Sequence, residues 1–268
     1  MESLLTIFSY PFMQRALIAG VILGLLIPAI GVIASLRKMT FFGEGVAHAS
    51  LAGIAIAILA GLAPLPVAIL WAILFASFIY FLERYTKLPT DTLIGILFTA
   101  SMALGIIIIQ NLPGYQPELL SYLFGSILAV QNTDLLVIIP VASIILIWLF
   151  KNLSGLTFTA LSEESASVSG FNTKLHTYFF YLALAVTAVL GVKILGIILV
   201  PALLVLPTAT SRLLTQTFRS YVTISIILGE LFIILGLILS YYFDSPSGAT
   251  IVLVATAGFL ASTLIHQK

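Results

Sequence analysis

The sequence predicts an all-α polytopic membrane protein of about nine transmembrane helices, with eight as the second count. Three observations predict it. First, 61% of the 268 residues are hydrophobic and only 8% are charged, whereas a soluble domain is about 25% charged; mean hydropathy is +1.21. Second, apolar stretches near the ~20 residues needed to cross a bilayer follow one another along the chain. Third, the basic residues fall on alternate connections. The same composition excludes other classes. Net charge is +1 with Lys and Arg scattered, which does not suit nucleic acid. Cysteine is absent, so disulfides, thiolate metal sites and thiol nucleophiles are excluded.

The elements follow in order. Residues 1–15 are short and mixed, lack the pattern of a signal peptide, and read as an interfacial segment. Spans are expected at Ala16–Leu36, Glu44–Gly61, Pro66–Leu82, Leu93–Gln110, Leu135–Phe150, Thr177–Leu190, Ile194–Thr210, Val222–Phe243 and Thr250–Ile265. The sixth and seventh touch through Gly191-Val192-Lys193, and joining them as one broken element gives the eight-span count. Leu119–Val130 is too short to span and reads as a surface or re-entrant helix. The stretch 151–176 is the long polar loop. Pro28, Pro140, Pro201 and Pro207 lie within spans and predict kinks. The small residues of Gly20-x-x-x-Gly24 and of span two predict close helix packing. The whole chain, 1–268, reads as one transmembrane domain with no nucleotide-binding domain.

With the N-terminus outside, Arg37, Lys38, Arg84, Lys87, Lys151, Lys174, Arg212, Arg219 and Lys268 fall in the cytoplasm, and Arg15 and Lys193 outside. Nine against two fixes the orientation. The eight-span count would move Arg212 and Arg219 out.

Ionisable residues in the membrane are functional candidates. Glu44 and His48 stand at i, i+4 on one helix face. A carboxylate and an imidazole suit a borderline divalent metal such as Zn²⁺ or Mn²⁺, with further ligands needed from elsewhere. The competing structural reading has Glu44 capping the helix and His48 bonding a neighbouring helix. His176 and His266 read as solvated. Glu230, midway along span eight, must face the bundle or carry a proton; metal ligation, proton transfer, pairing with Lys193 and a structural bond are all open. Lys193 is either a snorkelling anchor or the partner of an acid at a pathway mouth. Asp91 and Asp134 read as helix caps. There is no G-x-x-x-x-G-K-[ST], no G-x-S-x-G and no H-E-x-x-H, so the chain does not hydrolyse ATP itself.

Several motifs then converge. Arg37-Lys38 precedes Gly43-Glu44-x-x-x-His48-Ala49. Further along stand Asp91-Thr92-Leu93-Ile94-Gly95, Tyr122-Leu123-Phe124-Gly125-Ser126, Glu164-x-Ala166-x-x-x-Gly170, Lys193-Ile194-Leu195-Gly196 and Leu206-Pro207-x-Ala209-Thr210. Across nearly its whole length the chain resembles the permease subunits of bacterial zinc/manganese/iron ABC importers. The resemblance implies a vitamin-B12-importer-like type II bundle in the bacterial cytoplasmic membrane. It implies partners: a cytoplasmic ABC ATPase, an extracytoplasmic metal-binding protein and, because two ATPases face each other, a second copy of the chain. It implies metal at Glu44 and His48, where the family usually has Asp in the first position. It makes 162–171 the coupling helix, with Glu164, Ala166 and Gly170 toward the ATPase; Ser162 stands where the family often has Asp. Glu230 and Lys193 remain possible pathway residues. No cofactor is bound permanently; Zn²⁺ or Mn²⁺ is the cargo. The rival readings are a proton-coupled secondary transporter acting without an ATPase, and a non-transporting scaffold.

Overall fold

The computed structural model describes residues 10–111 and 130–266, and among these all regular structure is helical. The element order is α1 (Pro11–Leu36), α2 (Phe42–Leu59), α3 (Pro64–Thr86), α4 (Thr90–Gln110), α5 (Asn132–Lys151), α6 (Leu153–Leu161), α7 (Glu163–Val168), α8 (Thr173–Leu195), α9 (Leu199–Leu214), α10 (Phe218–Phe243) and α11 (Ser247–His266). Eight of these are long and apolar enough to cross a membrane, and α9 is a shorter apolar helix of 16 residues. At 1.5 Å per residue α9 reaches roughly 24 Å, less than the ~30 Å hydrocarbon core. The expected helix at 119–130 falls, but for Val130, outside the described residues, as does the Tyr122–Ser126 motif.

Helix ends follow local chemistry. α1 and α3 open on Pro11 and Pro64, where the missing N–H is one that no helix satisfies anyway. Asn172 accepts a bond from the Leu175 N–H at 3.1 Å and starts α8 four residues before the expected Thr177. The junction after α8 also differs from expectation. The helix runs straight through Gly191-Val192-Lys193 and stops at Gly196, whose φ is +83°. Gly191 is a contact point, since a Cβ there would lie 2.5 Å from Val200 Cγ2 of α9. Glycine's cost inside a helix, about 1 kcal/mol, is too small to break one that packing favours. Pro201 lies in the first turn of α9, where its missing N–H removes no helix bond; the expected kink there does not arise. Pro28, Pro140 and Pro207 do lie within helices. Lys38 and Lys87 end turns in the left-handed region, at φ +59° and +57°.

The core is built around α1, α2 and α8, which are buried along most of their length. α2 packs on α3 and α4, α8 on α3 and α2, and α1 on α10 and α9. In lipid, helix association depends on close packing rather than on apolar burial, and glycine supplies it. Gly31 of α1 meets the backbone of α9: a Cβ at Gly31 would stand 2.5 Å from the Leu204 carbonyl oxygen. Gly105 of α4 approaches the Ala52 backbone of α2 equally bare, with 3.0 Å from its Cβ position to the Ala52 nitrogen.

Gly31→Ala is therefore expected to lower stability by about 1–3 kcal/mol, the usual cost of overpacking. Thermal unfolding of the detergent-solubilised protein reads this, and an unchanged midpoint would contradict the α1–α9 approach.

Candidate functional site

The first turns of α2 are held on three sides. A Cβ at Gly43 would stand 2.9 Å from Leu204 Cδ1 of α9, one at Gly45 2.3 Å from Ile94 Cγ2 of α4, and one at Gly53 2.7 Å from Trp71 Cβ of α3. Ser101 of α4 donates to the Ala49 carbonyl at 2.8 Å and accepts from the Trp71 indole at 2.9 Å. From Phe42 to Ala55 every residue of α2 is buried except Glu44 and His48, which are half-buried. At about 100° per residue the two lie roughly 40° apart on the helix, between the face that meets α9 and the face that meets α4. Phe98 of α4 stands beside the imidazole, with 6.0 Å between ring centroids. Among the described residues neither Glu44 nor His48 is engaged by a hydrogen bond or ion pair, and no three His, Cys, Asp or Glu residues come together. Glu44 lies in the first turn but caps nothing by its side chain. The pair is thus open, mutually adjacent and incomplete as a metal site within one copy.

The other singled-out residues lie elsewhere. Glu230 sits on α10 against α1: a Cβ at Gly24 would lie 2.9 Å from the Glu230 Cδ. The second glycine of Gly20-x-x-x-Gly24 therefore makes the notch that receives this carboxyl. Glu230 Oε1 is buried with no hydrogen-bond partner among the described residues. Pro28, one turn on, leaves the Gly24 carbonyl without its helix N–H, and its ring faces Gly229, where a Cβ would stand 2.4 Å from Pro28 Cγ. Lys193, in the last turn of α8, pairs with Asp134 of α5 at 3.3 Å. Asp134 stands at N3 of α5, not at the expected N-cap, and accepts from the N–H of Gln131, the N-cap, at 3.1 Å. The acid that Lys193 meets is therefore a capping-box residue whose second oxygen fastens two helices.

The 162–171 segment forms a short helix. Ser162 accepts from the Ser165 N–H at 3.2 Å as N-cap, so Ser fills the capping role that Asp also serves. Ala166 is fully buried, pointing inward, and Gly170 turns the chain at φ +85°. Glu164 and Val168 face outward, with Val168 91% exposed. This open apolar side chain on a one-and-a-half-turn helix is a surface feature that sequence reasoning missed.

A second polar feature was also missed. Glu83 of α3 takes hydroxyl bonds from Tyr181 of α8 at 2.5 Å and from Thr90 of α4. Arg37, at the end of α1, donates to Thr177 at 2.9 Å and lies 5.3 Å from the Phe180 ring. Burial pulls the Arg37 guanidinium below its ordinary value, while Tyr181, Glu163 and Glu83 act in the opposite sense. These partners are 98 and 140 residues apart in the chain, with no local signal to announce them.

The chain matches the family model described as the ABC 3 transport family over residues 9–266. It is 33% identical over 258 residues to the high-affinity zinc uptake system membrane protein ZnuB of Haemophilus influenzae, covering 94% of this chain and 97% of that one. It is 32% identical over 262 residues to the manganese transport system membrane protein MntC of Halalkalibacterium halodurans, covering 98% and 90%. Among solved structures, PsaBC from Streptococcus pneumoniae in complex with Fab matches at a TM-score of 0.84 and 32% identity, covering 95% of this chain and 91% of that one.

The Lys193–Asp134 pair gives a separate test of the site's frame. Lys193→Met and Asp134→Asn should each destabilise the fold, and the double variant should be less unstable than their sum, with a coupling of about 1 kcal/mol. Additive effects in a thermal double-mutant cycle would mean that the pair does not join α5 to α8.

Proposed function

The chain belongs to the ABC 3 transport family, and on that premise we propose that it is the membrane-spanning permease subunit of an ATP-driven importer of Zn²⁺ or Mn²⁺. The observation that carries this reading is the pair Glu44 and His48, the two half-buried positions on an otherwise buried stretch of α2. A buried helix that leaves a carboxylate and an imidazole open and unengaged is poised to meet something from outside the protomer. A carboxylate oxygen and an imidazole nitrogen are ligands that zinc and manganese both accept. Two ligands leave a site short of the usual four. A second copy of the chain, related by a two-fold axis, supplies the same pair again and completes it on that axis.

The mechanism follows from what the chain carries and lacks. It has no phosphate-binding loop, so ATP hydrolysis belongs to a separate cytoplasmic subunit, and its force enters through a contact. α7 is suited to that contact. Its inner face is anchored by Ala166 and its outer face offers Glu164 and Val168. Metal arrives from an extracytoplasmic binding protein, rests at Glu44 and His48, and leaves to the cytoplasm as the bundle alternates. With α9 counted as a ninth crossing, basic residues fall nine to two, which puts the N-terminus outside and the α6–α7 segment inside. Glu230 and Lys193 are assigned to the supporting wall: one fills the Gly24 notch, the other ties α8 to α5.

Uptake assays in cells stripped of their own high-affinity systems test this. Zinc, manganese and iron are offered with and without the candidate ATPase. Wild type should need the ATPase, and Glu44→Ala with His48→Ala should cut uptake by about tenfold or more at unchanged protein level, the scale on which metal-site changes act. Uptake without any ATPase would instead support a proton-coupled secondary transporter. Normal uptake by the double variant would remove Glu44 and His48 from the pathway.

Val168→Asp tests the coupling contact. It should leave the permease folded and abolish metal-stimulated ATP hydrolysis in the reconstituted complex, because a charge replaces the apolar contact. Unaltered hydrolysis and transport would place the contact elsewhere.

A further inference from the structure

At one end of the bundle the last residues of α1 and α3, the first of α4 and α8, and parts of α6 and α7 enclose a cavity of about 630 Å³. Its charge is unbalanced. Arg37, Lys38, Arg84 and Lys174 line it, against Glu83 and Glu163: four positive charges and two negative leave a net +2. Among the described residues none of the four cations reaches ion-pair distance of either carboxylate. Both Glu83 oxygens are already taken by the Thr90 and Tyr181 hydroxyls.

The two arginines are held in place by other means. The Arg84 guanidinium lies 4.6 Å from the centroid of the Tyr80 ring, and that of Arg37 5.3 Å from the Phe180 ring. Tyr80 in turn donates to the Lys174 carbonyl at 3.1 Å. Arg37 keeps one buried donor, Nε, with no acceptor among the described residues. A buried guanidinium N–H in a net positive cavity calls for an anion, and the planar fork of arginine matches phosphate oxygens well. A divalent cation would be repelled, so the cavity is no part of the metal's route.

The position narrows the anion's source. On the orientation proposed above, this end faces the cytoplasm. Just outside the cavity on α3, Phe81 is 50% and Tyr85 82% exposed, as aromatic side chains are at the headgroup level of a bilayer. Basic pockets between transmembrane helices on the cytoplasmic side take anionic headgroups. We propose that this cavity binds the phosphate of an anionic phospholipid from the inner leaflet, held by Arg37, Arg84 and Lys174. Glu163, the first residue of α7, lines the same cavity. The phosphate therefore bridges the ends of α1, α3 and α8, where Arg37, Arg84 and Lys174 stand, while the Glu163 carboxylate bounds the cavity without bonding it.

Native mass spectrometry of the full permease assembled with its ATPase tests this, with phosphatidylglycerol and phosphatidylcholine supplied as competing lipids. Wild type should retain phosphatidylglycerol over phosphatidylcholine by roughly thirtyfold or more, the scale expected for two or three basic contacts. Arg84→Gln with Lys174→Gln, both exposed side chains, should lose that preference. Lys87→Gln, an exposed lysine outside the cavity, should keep it. Equal retention of both lipids by wild type, or an unchanged preference in the double variant, overturns the proposal. A third arm adds inorganic phosphate to lipid-depleted protein and follows the unfolding midpoint. Stabilisation equal to that given by phosphatidylglycerol would assign the site to a soluble phosphate and overturn the lipid. None of these readouts uses metal or ATP, so failure here and failure of the permease reading are told apart.

Discussion

The close approach of neighbouring helices to α2 governs this protein. In a bilayer, lipid tails are as apolar as leucine, so helices gain nothing merely by hiding apolar surface and must gain from contact. Gly43, Gly45 and Gly53 let α9, α4 and α3 come within contact distance of one helix. The chain alternates small residues with two ionisable ones on that helix, and packing consumes every direction but theirs. Leu204 shows how tightly the parts are linked: its carbonyl lies at Gly31 of α1 and its side chain at Gly43 of α2. A shift of α9 is felt on both helices at once, which is the kind of linkage a transport cycle requires.

Much of this was legible in the sequence, for identifiable reasons. Membrane spans are written in runs of apolar residues, and α1, α3, α4, α5 and α10 lie within a few residues of where composition puts them. The shared helix face of Glu44 and His48 was legible because i, i+4 spacing is local. The junction after α8 was not: Gly191 and Gly196 look alike in sequence, yet one is a packing contact and the other a left-handed turn. The Glu83 cluster was hidden for a different reason. Glu83 sits among charged residues at a helix end, where a solvated carboxylate is the ordinary expectation, and its partners Thr90 and Tyr181 are neutral. Only folding brings the three together. Lys193 and Asp134 each stand out singly in the sequence, but no pattern links residues 59 positions apart.

Two kinds of intramembrane acid emerge from the comparison of Glu44 with Glu230. Both are half-buried. Glu44 opens away from its own protomer, whereas Glu230 is pressed into the notch at Gly24, beside a carbonyl that Pro28 has left without a helix partner. The first has no bonding partner among the described residues; the second packs between α1 and α10. Residue type and depth alone would have ranked them together, and the neighbouring glycines separate them.

Lys38 and Lys87 carry a consequence for how the protein is made. Each occupies a left-handed backbone position that costs a non-glycine residue about 1–2 kcal/mol, and glycine would sit there freely. Both lie in the short connections that flank the first four long helices. During synthesis those connections are threaded or retained by the insertion machinery according to their positive charge, before any tertiary contact exists to correct an error. The chain thus carries a conformational penalty at two points that also hold positive charge. Backbone ease favours glycine at both positions, and the chain carries the charge instead.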